Sequence, residues 1–166
     1  MSTERKNKEL VIEQNGYKYS LQNIGDNIEL YRDTARIKQR RIAFDIDISN
    51  TFLCDIEKGR VYPSLKTLMK IADYLNINIA NLLSDKKNPN LPKTNIALTD
   101  IGYKLRRARK KAKMPQKQIA HLLDISYTYI CDIERGNCNS GLTILFNLLD
   151  LLNIDIETFF TPIEED

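Results

Sequence analysis

The chain of 166 residues contains few residues that could cross-link a fold, hold a metal or build a phosphate-binding loop. Its three cysteines, Cys54, Cys131 and Cys138, are odd in number and show no CxxC or Cys/His spacing, which argues against a disulfide framework and a zinc site. We expect small buried thiols instead. The single histidine, His121, has no partner Cys or Ser at a motif spacing, and the six glycines form no phosphate-cradling motif. The sequence therefore predicts neither an enzyme nor a cofactor-dependent protein.

Long hydrophobic runs and an excess of one charge are also missing. No window approaches the ~18 consecutive apolar residues of a membrane span, and the start, MSTERKNKEL, is charged where a secretory signal would be apolar. We therefore expect a cytoplasmic protein. The apolar content of 42% and charged content of 28% are typical of a globular protein. A net charge of +3 is too small to name a partner, so the location of the charge matters more than its sum.

An internal repeat organises the chain. Shifted by 77 residues without a gap, residues 24–83 lie over residues 101–160, and the match is densest where ISNTFLCDIEKG meets ISYTYICDIERG. Each copy is close to the smallest size at which a domain folds alone. The repeat predicts two small domains rather than one large domain.

Apolar residues in each copy recur at helical spacing, in short stretches separated by turn signals, which predicts five short helices. The expected caps, first copy then second, are Asn23 and Asp100 before the first helix, Ser49 and Ser126 before the third, and Gly59 and Gly136 after the third. The second helix is expected to begin at Gln39 or Gln116. The expected buried positions include Ile24, Ile28, Ala35, Ile42, Leu53, Ile56, Leu65, Leu68 and Ile71 with their equivalents 77 residues later.

The segments outside the copies differ in character. In residues 1–23, Asn15-Gly16 lies between two runs that can alternate, a strong signal for a short β-hairpin. Residues 84–100 contain two prolines, three lysines and three asparagines, which is typical of an irregular linker. Residues 161–166 form an acidic tail.

A short helix starting with Gln, a tight turn, and a helix that follows Ser and ends in IE(K/R)G together describe a helix-turn-helix. These residues resemble the Cro/CI-type family of phage repressors, also called XRE-like transcriptional regulators, over about 120 of the 166 residues. The second copy departs from the pattern after DIERG, where NCNSGL replaces the turn that the first copy keeps as VYPSL. The resemblance implies an all-α fold of two tandem five-helix, lambda-repressor-like domains, with double-stranded DNA as the partner.

In this family the N-terminal side chains of the third helix enter the major groove. By position, the base-reading residues are Asn50, Thr51 and Asp55 in the first copy and Tyr127, Thr128 and Asp132 in the second. Asn50 can pair with adenine, the threonines offer a methyl group to thymine, and the aspartates can only accept, from cytosine. Because Tyr127 replaces Asn50, we expect two non-identical half-sites. The alternative, in which both aspartates only help solubility or contact a basic neighbour, stays open.

The resemblance also implies contacts to DNA phosphates. The residues so assigned are Gln39, Arg40, Lys58 and Arg60 in the first copy and Gln116, Lys117, Arg135 and Asn137 in the second. Basic residues cluster before and inside the second helix, at Arg36, Lys38, Arg40 and Arg41, and more strongly at Arg106, Arg107, Lys110, Lys111, Lys113 and Lys117. The first copy has 9 basic and 8 acidic residues and the second has 9 and 6, so we expect the second to bind phosphate more strongly.

Two further pairs recur at the same offset and match a structural ion pair of the family: Arg32 with Glu57, and Arg109 with Glu134.

The sequence is compatible with two functions. In the first, both domains read DNA and the chain is a transcriptional regulator, in the simplest case a repressor. In the second, one domain reads DNA while the other is a dimerisation or protein-partner module, as in an antitoxin-like regulator. The second hypothesis is motivated by the departure at 137–141, the bulk of Tyr127 and the apolar end LLDLLNIDIETFF. A homodimer or another protein thus remains a candidate partner.

Overall fold

The computed structural model describes residues 12–14, 17–85, 88, 90–93 and 96–161. Within this part, the chain folds into one antiparallel β-hairpin and ten short helices. The elements are β1 (Ile12–Gln14), β2 (Tyr17–Tyr19), α1 (Leu21–Thr34), α2 (Gln39–Asp45), α3 (Asn50–Glu57), α4 (Leu65–Tyr74), α5 (Ala80–Leu83), α6 (Leu98–Lys111), α7 (Gln116–Leu122), α8 (Tyr127–Arg135), α9 (Leu142–Leu151) and α10 (Ile156–Phe159). The all-α prediction with two sets of five helices is confirmed.

The hairpin pairs Ile12 with Tyr19 and Gln14 with Tyr17, as the turn signal in the sequence predicts. Its two turn residues, Asn15 and Gly16, lie outside the described residues. None of the described helices is both long and apolar enough to cross a membrane.

The backbone of the first domain recurs in the second. Residues with positive φ occur as four pairs exactly one repeat apart: Arg36 and Lys113, Asp47 and Asp124, Gly59 and Gly136, and Asn76 and Asn153. Positive φ is uncommon for residues other than glycine, so the three pairs of this kind, together with the glycine pair, indicate the same chain path through each inter-helix turn. The two copies are therefore repeats in structure as well as in sequence.

Helix caps follow the sequence closely, with one correction. The hydroxyl oxygens of Ser49 and Ser126 accept from the backbone N–H three residues later and start α3 and α8, as expected. The first helix of each domain, however, begins three residues earlier than predicted. Ser20 caps α1, and α6 begins after Ala97. Asp100 lies inside α6, where its carboxylate accepts from the Ala97 N–H as the second half of a capping box does.

The first and third helices of each domain approach very closely. A Cβ added at Gly25 would lie 2.4 Å from the Glu57 carbonyl oxygen, and one added at Gly102 would lie 2.5 Å from that of Ile133. Any larger residue at Gly25 would push α1 away from α3, and any larger residue at Gly102 would push α6 away from α8, because the neighbouring atoms belong to the backbone and not to a flexible side chain. These glycines fix the position of α3 and α8 on their domains.

The expected core residues are buried, with two exceptions. Ile24, Ile42, Leu53 and their neighbours are inaccessible, as are most of their repeat equivalents. Ala35 and Ala112, however, are exposed, because each lies at the C-cap where the first helix ends. The cysteines also depart from expectation.

Cys54, Cys131 and Cys138 are free thiols, as expected, but they are half-buried rather than buried. The first two lie on α3 and α8, and the thiol of Cys131 donates to the side-chain oxygen of Gln116 at the start of α7.

The described part of the linker lies against the first domain. Asn78 donates to the Pro92 carbonyl over 2.7 Å, and Asn81 exchanges two hydrogen bonds with the backbone of Asn88. These amides are buried at the start of α5, so the linker backbone satisfies donors that would otherwise lose water without compensation. The described residues up to 97 are irregular, as predicted, and several of them pack on the first domain, whereas residues 98–100, which were assigned to the linker, belong to α6.

Candidate nucleic-acid interface

The first domain presents the start of α3 to solvent. Ser49 fixes where this helix begins, so Asn50 and Thr51 form its first turn, and both side chains are exposed. The opposite face of α3 buries Leu53 and Ile56 against the core. An amphipathic helix held in this way leaves its N-terminal polar side chains free to reach base edges in a major groove.

The second domain presents α8 in the same way, with a different side chain at the first position. Tyr127 is 47% exposed and Thr128 is exposed. A hydrogen bond with Cys131, one turn further along α8, raises the pKa of the Tyr127 hydroxyl. The ring therefore has a partner on its own helix, and the surface that it offers differs in size and polarity from the one around Asn50.

Asp55 on α3 and Asp132 on α8 are half-buried and differ in their partners. Asp55 accepts from Arg60 over 3.3 Å, so a residue assigned to base reading and one assigned to phosphate contact pair with each other in the free protein. In the second domain Asn137 stands at the position of Arg60, and Asp132 has no cation at that place. Binding of Asp55 to a base would require this exposed pair to separate, at a modest cost.

The helix-turn-helix of the first domain is tied together by a carboxylate. The buried Glu57 accepts from Arg32 over 2.8 and 3.2 Å, and from the side-chain amide of Gln39 over 2.8 Å. The hydrogen bond to Glu57 raises the pKa of the Arg32 guanidinium, so the cation is retained. One carboxylate thus joins the first, second and third helices, and it also orients Gln39 at the start of α2.

The same network recurs in the second domain. Glu134 accepts from Arg109 over 2.5 and 3.0 Å and from Gln116 over 2.8 Å. Beside it lies a polar recess of about 190 Å³, lined also by Arg106 and Arg135. The first domain has Glu29 where Arg106 stands, so the equivalent position there carries a carboxylate in place of a cation.

The residues assigned to phosphate contact lie at the surface. Gln39 and Gln116 are half-buried at the first position of their helices, and the other six are exposed: Arg40, Lys58, Arg60, Lys117, Arg135 and Asn137. Each glutamine donates one amide hydrogen to a glutamate and keeps a second for another acceptor. These residues thus lie around the exposed ends of the helix-turn-helix. Their contact with DNA phosphates stays a prediction.

One basic residue of the first cluster is engaged within its own domain. Arg41 donates to Asp45 over 2.7 Å, and Asp45 also accepts from Tyr74 over 2.6 Å. Sequence reasoning missed this group because Tyr74 lies on α4, far from Asp45 in the chain. In the second domain Gln118 and Leu122 replace Arg41 and Asp45, so only the first domain has the arrangement.

The basic residues of the second cluster extend along α6. Arg106, Arg107, Lys110 and Lys111 are all exposed, and Lys113 follows the helix end. Their repeat equivalents include Glu29, Leu30 and Asp33. The first helix is thus cationic in the second domain and mixed in the first, and stronger phosphate binding by the second domain stays a prediction.

Comparison with known families identifies both copies. Residues 27–88 match the model of the Cro/C1-type HTH DNA-binding domain, and residues 105–159 match a helix-turn-helix family model. Together the two matches cover most of the chain.

Among characterised proteins, the chain resembles two from Bacillus phage phi105. One is the ImmF control region 10 kDa protein, 39% identical over 56 residues, which are 34% of this chain and 62% of that protein. The other is the immunity repressor protein, 30% identical over 63 residues, which are 38% of this chain and 44% of that protein. The chain therefore spans less than two thirds of either relative. A solved HTH_3 family transcriptional regulator from Vibrio cholerae shares 24% identity over 37% of this chain and 35% of its own, with a TM-score of 0.36.

Proposed function

Because the chain belongs to the Cro/C1-type helix-turn-helix regulators and contains two such domains in tandem, we propose that it binds double-stranded DNA through both domains and regulates transcription as a repressor. The observation that carries this proposal is the pair of exposed helix starts, Asn50–Thr51 and Tyr127–Thr128, each presented by the same capped and internally bonded motif. The similarity to an immunity repressor of a phage supports the sign of the regulation.

The two domains are proposed to read different half-sites. Asn50 offers an amide that can make two hydrogen bonds to adenine, whereas Tyr127 offers a ring and a single hydroxyl. Thr51 and Thr128 recur, so part of each half-site is shared. The operator is therefore a pair of related but unequal half-sites, each read through the major groove.

Binding-site selection from a random duplex library tests this function. The proposal expects enrichment of a bipartite site with two related halves, of which only one changes when Tyr127 is replaced by Ala. A perfect palindrome that Tyr127→Ala leaves unaltered would contradict the two-reader version. A library from which no sequence is enriched would contradict sequence-specific DNA binding itself.

The alternative, in which one domain reads DNA and the other binds a protein partner, makes a different prediction. Substitutions at only one recognition helix would then weaken DNA binding. One of its motives, the unusual loop at residues 137–141, has a role inside the chain, because Asn139 and Gly141 contact the first domain. This observation removes one of the motives for the alternative.

A further inference from the structure

The two domains meet at one and the same position of the repeat. Ser64 and Gly141 form an isolated antiparallel β-bridge. They are separated by 77 residues, which is the repeat length, so each is the equivalent of the other. Ser64 precedes α4 and Gly141 precedes α9, and both are N-cap residues.

An antiparallel contact between equivalent residues determines how the domains are related. Such a bridge has a local twofold axis that exchanges the two residues and reverses the chain direction. The two caps have nearly the same backbone, with φ and ψ of −70° and 158° at Ser64 and −65° and 150° at Gly141. The axis that exchanges the caps therefore also exchanges the rigid domains attached to them. A head-to-tail repeat would run equivalent segments parallel, so it is incompatible with this contact.

A side chain that occurs in only one copy extends the contact. The Asn139 side-chain oxygen accepts from the Lys66 backbone N–H over 3.0 Å. Lys66 lies in the first turn of α4, where backbone N–H groups have no partner within the helix. Asn139 therefore caps a helix of the other domain, and the first copy has Tyr62 at the same position. The departure of NCNSGL from the first copy supplies this inter-domain contact.

We propose that the single chain is an intramolecular pseudo-dimer whose two reading helices are related by a twofold axis at Ser64 and Gly141, so that one chain binds an inverted repeat with unequal halves. This inference rests on the proposed DNA-binding function and adds the relative direction of the half-sites and the number of chains. A protein twofold axis is mirrored in the symmetry of its operator. A second chain is not needed to supply the second reader.

A cysteine pair tests the axis without DNA. Residues paired across an antiparallel bridge have Cα atoms about 4.5–5.5 Å apart, which is within the range of a disulfide. A Cβ added at Gly141 would meet no heavy atom within 4 Å, so the backbone there has room for a cysteine. The variant Ser64→Cys with Gly141→Cys should form an intramolecular disulfide under mild oxidation, identified by peptide mass mapping because three native thiols are present.

The matched control is Asp73→Cys with Asp150→Cys. These residues are also repeat equivalents and exposed, but they lie more than two turns further along α4 and α9. The control pair should stay reduced in the monomer. Absence of the Ser64–Gly141 cross-link, or equal cross-linking of both pairs, would overturn the twofold arrangement whatever the protein binds.

The second experiment fixes the direction of the half-sites. The two halves obtained by selection are placed in one duplex as an inverted repeat and in another as a direct repeat, at the selected spacing. We expect the inverted duplex to bind about tenfold or more tightly, with one chain per duplex in native mass spectrometry, because reversal of one half replaces its base contacts with mismatches. The oxidised cysteine variant should keep this affinity.

The outcomes separate the two levels of the account. Preference for the direct repeat, two chains per duplex, or loss of binding by the oxidised variant would overturn the pseudo-dimer. The proposed DNA-binding function of the native chain would still stand. If selection enriches no duplex, the proposed function fails, and the cross-link still decides whether the domains are related by the axis.

Discussion

Asn27 and Lys104 occupy the same place in the two domains and donate hydrogen bonds to equivalent pairs of carbonyl groups. The Asn27 amide donates to Leu82 over 3.1 Å and to Ser84 over 2.8 Å, and the Lys104 ammonium donates to Phe159 and Thr161. Both side chains join the first helix of a domain to its last. A neutral amide in the first domain and a charged amine in the second thus satisfy equivalent pairs of carbonyl groups, and only the amine places a charge there.

Replacement of Asn27 by Ala should destabilise the first domain. The buried carbonyls of Leu82 and Ser84 would lose a donor each, and burial of an unsatisfied polar group costs about 1–3 kcal/mol. Hydrogen exchange can resolve the effect, because amide protection should fall in α1 and α5 more than in the second domain. Asn50→Ala, at an exposed position, is the control and should leave protection unchanged. Equal protection in wild type and Asn27→Ala would show that these bonds contribute nothing.

Lys104 predicts a pH dependence of stability. Burial lowers its pKa below the ordinary value of 10.5. Between the lowered pKa and 10.5 the unfolded chain holds more protons than the folded chain, so the Lys104 contribution to stability rises with pH in that window. Urea unfolding of wild type and Lys104→Asn over this range checks the sign. The free energy of unfolding of the wild type should increase relative to the variant as pH rises, and a decrease would contradict the assignment.

Loss of either central carboxylate should be costly. Replacement of Glu57 or Glu134 by Ala leaves a poorly accessible arginine without its partner and releases the glutamine of the second helix. Removal of one member of a buried pair costs about 3–5 kcal/mol. Thermal or urea unfolding measures the loss, and the exposed pair supplies the comparison. Asp55→Ala should cost no more than about 1 kcal/mol, since Asp55 and Arg60 are paired at the surface. Similar losses for Glu57→Ala and Asp55→Ala would show that burial of the pair does not matter.

The charge difference between the first helices predicts a difference in salt dependence. Arg106→Glu introduces the residue that the first domain has at the equivalent position, Glu29, and Glu29→Arg is the reciprocal change. Affinity for a duplex falls with salt more steeply when more phosphates are neutralised, by about one unit of slope per contact. Arg106→Glu should therefore lower the slope of log affinity against log salt, and Glu29→Arg should raise it. Unchanged slopes in both variants would place this face away from the phosphates.

Local chemistry made the individual helices predictable. Ser49 and Ser126 predict a helix start because a serine hydroxyl can accept from a free N–H of the first turn. Gly59 and Gly136 predict a helix end because glycine readily adopts the positive φ that is common there. The start of the first helix was missed since Ser20 and Ala97 lie upstream of the aligned copies. In the site, the pairing of Arg32 with Glu57 followed from a recurring offset, whereas the attachment of Gln39 to the same carboxylate needed the three helices in place.

The relative orientation of the two domains could not be predicted from the sequence. A linker of 17 residues can extend to roughly 55 Å, so its reach allows both a twofold and a head-to-tail arrangement. The contacts that choose between them, Ser64 with Gly141 and Asn139 with Lys66, join residues that the sequence separates by more than 70 positions. They lie at the place where the second copy departs from the family pattern, which was the one available signal.

Affinity of the selected duplex for two matched double variants tests the central claim, that both domains read DNA. The variants are Asn50→Ala with Thr51→Ala and Tyr127→Ala with Thr128→Ala, and the controls are Asp73→Ala and Asp150→Ala, which are exposed and lie on other helices. A good base contact contributes about 1–3 kcal/mol of discrimination, so each double variant should weaken binding by about tenfold or more while both controls bind as wild type. Wild-type affinity in either double variant would contradict the account.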